Sequence, residues 1–402
     1  MTYIHAKPTV SVIVATYNRA HYLPECLDSL VAQSRPPDEI LVIDDGSNDD
    51  TRSVAIDHAA NVRYFKQPNQ GRPTALNLGI ENARGSHLVF FDDDDVLLPG
   101  ALELHLDVLN VTPGADYSYA PNLVFDERFP GDSIWDESRH TTRKHRQTAT
   151  PDDLFLSTLE WGEYFLIYLQ GMMVPRQLME EVGRFQTSLL RGQDYDVMLK
   201  LAQRYTGVST QAPTFVMREH SGGRGPAAER HREHERQEMW SKYDRQIVRP
   251  YWTSLPLSAY LRGRQTTADD SELSEREQVD ALLGRSRVMF SHGLFEEAVA
   301  DIESIASRPT LPDDQWSATV ALVQHAANIE KRHYIRPASA LARDIGKGAY
   351  SRSRRTALMT AAARGFYWGA RRFQRARDPR AALRLLAATG TLLARRGAAA
   401  MR

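Results

Sequence analysis

Hydrophobic positions near the start of the chain come in short runs separated by polar turns and helical spacings. Val10 to Ala15 (VSVIVA) is a β-branched run that predicts a strand, Tyr17-Asn18-Arg19 predicts a turn, and Leu23, Cys26, Leu27 and Leu30 share one face of a helix. The unit recurs. Glu39 to Ile43 (EILVI) runs into Asp44-Asp45-Gly46-Ser47, with a short helix beginning near Thr51; Asn61 to Phe65 predicts a third strand. Thr74 to Ala83 predicts a helix and His87 to Phe91 (HLVFF) a fourth strand. Such alternation predicts a parallel sheet covered by helices on both faces, the α/β class.

From Ala101 the pattern is mixed. It predicts a helix at Leu102 to Leu109, a strand near Tyr117 to Phe125, a polar stretch from Asp126 to Thr150, a helix at Asp194 to Arg204 and a strand at Gly207 to Met217. Ser221 to Pro226 (SGGRGP) carries a loop signal. Beyond Trp240 the chain reads as helices, including Leu294 to Ile305 and Ala381 to Ala394, broken at Pro309, Pro312, Pro337 and Pro379. The predicted organisation is an α/β domain over residues 1–250 and a helical, basic domain over 251–402.

Composition adds two constraints. Hydrophobic residues make up 42% and charged residues 25% of the 402, which is ordinary for a folded chain. One cysteine, Cys26, excludes an internal disulfide framework and a thiolate-rich zinc site, and its leucine neighbours predict a core position. No secretory signal or run of 18 apolar residues is present, so a cytoplasmic location is expected.

In open sheets of this class ligands sit beyond the carboxyl ends of the strands. Three polar clusters fall there: Thr16 to Arg19, Asp44 to Ser47, and Asp92 to Asp95. Consecutive aspartates repel and raise one another's pKa values. A hard divalent cation such as Mg²⁺ or Mn²⁺ relieves that repulsion and leaves coordination positions for phosphate, so Asp92-Asp93-Asp94-Asp95 predicts a metal and diphosphate site. A helix cap near Pro99 would need one aspartate.

These segments together resemble the family 2 glycosyltransferases: VSVIVATYNR (10 to 19), EILVIDDGSNDDT (39 to 51), NQGRPTALNLGIENARG (69 to 85), FFDDDDVLLPG (90 to 100) and GQDYDVMLKLA (192 to 202). The resemblance spans residues 8 to 220. It implies a Rossmann-like nucleotide-sugar-binding domain of the A-type glycosyltransferase fold, and it does not reach the mostly helical region that follows. It implies transfer with inversion from a nucleoside-diphosphate sugar, typically a UDP-sugar, to a hydroxyl of a saccharide, glycolipid or other glycan acceptor. Ala15, Thr16 and Asn18 would edge the nucleoside, Asp45 would bond the base, and Asp92, with Asp93 beside it, would approach the ribose. Asn69 and Arg72 would complete the donor site. Asp94 would bind Mn²⁺ or Mg²⁺ with His220, and Asp194 would be the catalytic base. Arg224 and Arg230 are further candidate phosphate contacts, and Asp196 is expected to be structural.

The chain departs from that pattern at Gln193, where an acid usually precedes the base, and at Leu76, where many members carry arginine near the diphosphate. Arg72 is then the candidate substitute. His231 and His234 (HREHE) lack the spacing of a zinc helix and predict a solvated one. A nucleotidyltransferase would carry a glycine-rich loop after the first strand, and Val10 to Arg19 holds no glycine. The remaining alternative is an inactive nucleotide-sugar-binding scaffold, against which the joint presence of Asp45, Asp92, Asp94 and Asp194 weighs.

Residues 331–402 hold 18 Lys and Arg against Asp344 and Asp378, a net +16, which leaves −17 for the first 330. Leu383, Leu385, Leu386, Leu392 and Leu393 lie among Arg380, Arg384, Arg395 and Arg396. This tail is expected to bring the catalytic domain to an anionic membrane surface, the inner face, or to a second copy of the chain, the alternative being that its leucines pack within the protein; no nucleic-acid partner is expected. Flotation of the whole chain with anionic vesicles at low salt, but not of one ending near residue 330, would assign the membrane. Equal recovery of both in the unbound fraction would reject it and leave assembly.

Overall fold

The computed structural model describes residues 7–58, 61–127, 133–142, 154–161, 167–220, 233–263, 269–327, 351–375, 384–385 and 387–389. The chain forms two compact units, Met1–Thr158 with Tyr164–His234, and Leu159–Glu163 with Glu235–Arg402.

In the first unit, β1 (Val10–Thr16), β2 (Glu39–Asp44), β3 (Arg63–Lys66) and β4 (His87–Asp92) are parallel. Helices α1 (Leu23–Val31), α2 (Thr51–Asp57) and α3 (Arg72–Asn82) connect them. Their β-branched and aromatic residues suit the buried middle of a sheet, where Val12, Ile13, Val14, Leu41, Val42 and Phe90 are fully enclosed. Leu23, Cys26, Leu27 and Leu30 of α1 pack into the same core, as their helical spacing predicts. Two more helices follow β4 and its short neighbour β5 (Val96–Leu97): α4 (Ala101–Val111) and, later, α5 (Leu154–Trp161).

The strand near Tyr117 to Phe125 is in fact two, β6 (Tyr117–Tyr119) and β7 (Asn122–Asp126). Pro121, which has no N–H to donate, stands between them. Gly207 to Met217 divides likewise into β10 (Gly207–Ser209) and β11 (Phe215–Glu219), around Gln211 at φ 62 and Pro213. Each split sends its halves to different sheets. The large sheet has the order β10-β6-β9-β4-β1-β2-β3, where β9 (Met172–Pro175) runs antiparallel to β4 and β6. The expected parallel sheet is therefore mixed. The small sheet, β5-β11-β7-β8 with β8 at Thr141–Thr142, pairs β11 parallel to β7. Helix α6 (Arg176–Glu181) follows β9, and α7 (Gln193–Arg204) begins after Gly192.

The second unit is helical. It holds α8 (Glu233–Ser254), α9 (Glu275–Ser291), α10 (Phe295–Ala306), α11 (Asp313–Ala327) and α12 (Arg352–Arg375). Ser274 and Glu277 form a reciprocal capping box at the start of α9. Arg285 grips buried Asp301 at 2.6 Å and lies over the rings of Trp252 and Tyr260, which ties α9, α10 and α8 together. The boundary expected near residue 250 falls within α8. Of the tail, most of Ala381 to Ala394 lies outside the described residues, as do Arg224, Arg230 and His231. Among the described residues no helix is long and apolar enough to cross a membrane.

Helix α3 approaches β1 so closely that a Cβ on Gly79 would stand 2.4 Å from Ile13 Cγ2. That contact sets the height of the helix over the sheet. Gly79→Ala is expected to destabilise the fold by about 1–3 kcal/mol through overpacking, although alanine by itself favours helix by about 1 kcal/mol. Urea unfolding checks this, and an unchanged or raised midpoint would contradict the close packing.

Candidate active site

Register places the polar clusters side by side. Ala15 pairs with Ile43 on one flank and Asp92 on the other, and Thr16 pairs with Asp44. Three loops therefore leave the sheet at one level.

The first loop is locked to the second. Asn18 adopts a left-handed conformation (φ 53); its N–H donates to Ser47 Oγ at 2.8 Å and its Oδ1 accepts from Asn48 N–H. Asp44 is fully buried and accepts from Ser47 N–H and the Tyr64 hydroxyl. Asp45 accepts three bonds, from Gln67 Nε2 (2.7 Å), Gln70 N–H (2.9 Å) and Gly71 N–H (2.8 Å), and so anchors the loop that starts α3. Gly46 lies at φ +89, and a Cβ there would stand 2.8 Å from the backbone N of Asn69. Asn69 itself is exposed. Asn18, Asp45 and Asn69 thus form one group, with Ala15 and Thr16 at its base.

The aspartate run forms the second group. Asp93, Asp94 and Asp95 are buried, whereas Asp92 is half-buried. Ligand atoms of Asp92, Asp94 and Asp95 all lie within 4.8 Å of one another. Such crowding is tolerated only with counter-charge. Arg19 Nη1 donates to Asp93 Oδ1 (2.9 Å) and Asp94 Oδ2 (2.8 Å), and His220 Nε2 is 2.9 Å from that same Asp94 oxygen. Arg72 pairs with Asp92, which also accepts from Gln170 Nε2. Arg218 reaches across β11: its N–H donates to Asp95 Oδ1, its Nε to the Asp94 carbonyl, and its Nη groups to Glu127 and Glu25. Its guanidinium lies 4.8 Å over the Tyr22 ring.

Electrostatics follow from this geometry. Burial pushes Asp93 up to about 6, with Asp94 adding to the rise and Arg19 opposing it. Burial opposes the charge on Arg19, but Asp93 and Asp94 outweigh it and raise its pKa above the ordinary value. Cys26 is driven up by burial and by the nearby carboxylates, so its thiol stays protonated and inert.

Asp194 stands in the first turn of α7, its Oδ1 accepting from Tyr195 N–H at 2.9 Å. Burial raises its pKa, Arg72 pulls it back, and Asp92 adds to the rise. Asp92 and Asp194 in turn hold Arg72 charged against its burial. Arg72 is therefore the electrostatic link between the aspartate run and Asp194. Asp196 pairs with Lys200 at 2.6 Å along the helix, a structural arrangement. Gln193 is buried, with Oε1 lacking a hydrogen-bond partner.

Sequence patterns assigned no role to Arg19, Gln170 or Arg218. Arg19 was within the first polar cluster, so position alone could have nominated it. Gln170, between Leu169 and Gly171, carries no local signal.

The donor set suits a hard divalent ion. It is oxygen-rich with one imidazole, and Asp93 Oδ2 is buried beside it without a hydrogen-bond partner.

A mixed α/β sheet with acidic residues at its carboxyl edge is the architecture of the A-type nucleotide-sugar transferases. The structure of S. aureus TarS residues 1–349 in complex with UDP-GlcNAc aligns with a TM-score of 0.50 over 92% of both chains at 14% identity, a likeness of fold. The model of Glycosyl transferase family 2 matches residues 11–159, and that segment of the chain belongs to the family. An uncharacterized glycosyltransferase of Rickettsia felis is 29% identical over 257 residues, covering 63% of this chain and 41% of the relative. Chondroitin synthase of Escherichia coli is 38% identical over 206 residues, covering 49% of this chain and 27% of the synthase. The chain thus spans less than half the length of either relative.

Proposed function

We propose that the chain transfers a sugar, with inversion, from a UDP-sugar to a hydroxyl of a glycan or glycolipid acceptor, with the help of a divalent cation. The observation that carries this reading is the convergence of Asp92, Asp94 and Asp95 within 4.8 Å at the sheet's carboxyl edge, with Arg72 paired to Asp92 beside them. The names of two similar proteins support it: one was solved with UDP-GlcNAc and another is a chondroitin synthase.

Asp94 and His220 would hold Mn²⁺ or Mg²⁺, whose charge stabilises the diphosphate leaving group. Ala15, Thr16 and Asn18 edge the nucleoside pocket, and Asn69 borders it. A carboxylate has about four acceptor sites, and Asp45 uses three internally, which leaves one for a base N–H. Asp92 faces the ribose, with Asp93 buried behind it. Arg72 is placed to meet the diphosphate.

In the reaction the acceptor oxygen attacks C1 as the bond from C1 to the diphosphate oxygen breaks. The hydroxyl proton passes to an Asp194 carboxylate oxygen, and UDP departs. Burial suits Asp194 to this task, because a base is more effective as its pKa moves toward the working pH.

Asp94→Ala is expected to abolish the Mn²⁺-dependent part of UDP binding in calorimetry; unchanged affinity would remove Asp94 from the metal site. Asp194→Asn is expected to keep UDP-sugar binding and lose roughly 10²–10⁴ in turnover. In the parent protein the general base must be ionised, so the rate should fall as pH drops through the Asp194 pKa, which burial raises above its ordinary value. Near-parent turnover of Asp194→Asn at any pH would exclude Asp194 as base. Absence of sugar transfer or UDP-sugar hydrolysis by the parent across UDP-sugars would favour the inactive scaffold.

A further inference from the structure

Asp94 Oδ2 is approached by two nitrogen donors, Arg19 Nη1 at 2.8 Å and His220 Nε2 at 2.9 Å. Arg19 also holds Asp93 Oδ1, and Asp93 Oδ2 has no hydrogen-bond partner. The arginine side chain is 25% exposed, whereas those of Asp93 and Asp94 are 3% and 7% exposed. A cation reaches from the solvent side onto a buried acid pair.

Asp94 is also the residue placed to ligate a divalent ion. A small hard ion such as Mg²⁺ on a carboxylate oxygen sits roughly 2.0–2.1 Å away, and a guanidinium bonded to that same oxygen would be forced into close like-charge contact with it. Where the ion takes that oxygen, ion and guanidinium compete for it.

We propose that Arg19 is the resident counter-cation of the acid pair, that a divalent ion must displace it from Asp94, and that a nucleoside diphosphate eases the exchange by accepting the freed guanidinium. The second half rests on the transferase reading. Arg19 lies at the end of the β1 loop beside Asn18, the edge assigned to the nucleoside, and its planar fork suits diphosphate oxygens. Ion and nucleotide are then coupled through one side chain, and the coupling is reciprocal. Arg19 acts as a positioning residue for ion binding.

The test measures Mn²⁺ binding to the whole chain by electron paramagnetic resonance, without nucleotide and then with UDP, for the parent, Arg19→Gln and Arg19→Lys. Without nucleotide, Arg19→Gln is expected to bind Mn²⁺ at least tenfold more tightly than the parent. The factor by which saturating UDP raises Mn²⁺ affinity is expected to shrink in the same variant. Arg19→Lys keeps the charge but loses the fork, and should fall between the two. Should Arg19→Gln fail to fold, the lysine variant decides: tighter Mn²⁺ binding than the parent supports displacement, and equal or weaker binding rejects it. Equal or weaker binding by a folded Arg19→Gln likewise overturns the proposal, since a plain structural ion pair would weaken the site when cut. The nucleotide-free arm does not depend on sugar transfer. A tighter Mn²⁺ site in a chain that transfers no sugar would uphold the displacement and fail the transferase reading alone, while an unchanged site in an active transferase would do the reverse.

Discussion

Crowded negative charge at the end of β4 is the constraint on which the first unit depends. Asp92, Asp94 and Asp95 bring oxygens within 4.8 Å of one another, and Asp93 is buried between them. Charges this close and this dry are held only with cations and hydrogen-bond donors supplied from elsewhere. Arg19 comes from the β1 loop, Arg72 from the start of α3, Gln170 from the turn before β9, and Arg218 and His220 from the end of β11. Each donor fastens a different element to the same strand end. The chemistry of the site and the closure of the fold are therefore one arrangement.

The parallel register makes that closure possible. With Ala15 opposite Asp92 and Thr16 opposite Asp44, the loops after β1, β2 and β4 emerge together, so side chains of ordinary length can reach across. Hydrogen bonds in the loops then remove their freedom. Asp45 spends three acceptor sites on the 67–71 segment, and Gly46 at φ +89 lets the backbone of Asn69 pass within contact distance. Gly79 does the same for the helix behind, bringing α3 down onto Ile13. Arg72, at the start of α3, meets Asp92 because those backbone approaches are close.

The second unit is organised by a different balance. Its most deeply buried carboxylate, Asp301, accepts from Arg285 and from the Trp252 indole N–H, and Arg285 lies over the rings of Trp252 and Tyr260 and donates to the Trp252 carbonyl. No acidic cluster with metal-ligating geometry occurs there among the described residues. Along the sequence the chain is acidic before residue 331 and basic after it. Tyr367 and Trp368 lie exposed on α12, with Arg371 over the Trp368 ring.

What the sequence by itself determined were the features carried by neighbours along the chain. The four strands from Val10 to Asp92 and their helices follow from local periodicity, and Asp92 to Asp95 stand at a strand end that any reading of the run would find. The place of Asp194 at the start of a helix was legible too, while its role as base was implied only by the family resemblance. Only the tertiary structure decided that the sheet is mixed, because β9 is a four-residue strand whose pairing lies with β4 and β6 rather than in its own pattern. Only the tertiary structure made Arg218 and Gln170 part of the site, since Arg218 meets Glu25 across 193 residues and Gln170 meets Asp92 across 78. A period of two or 3.6 reports which face of an element is buried; it carries no information about which distant element will bury it. The sequence therefore displays the charge that has to be neutralised, and the fold selects the side chains that neutralise it.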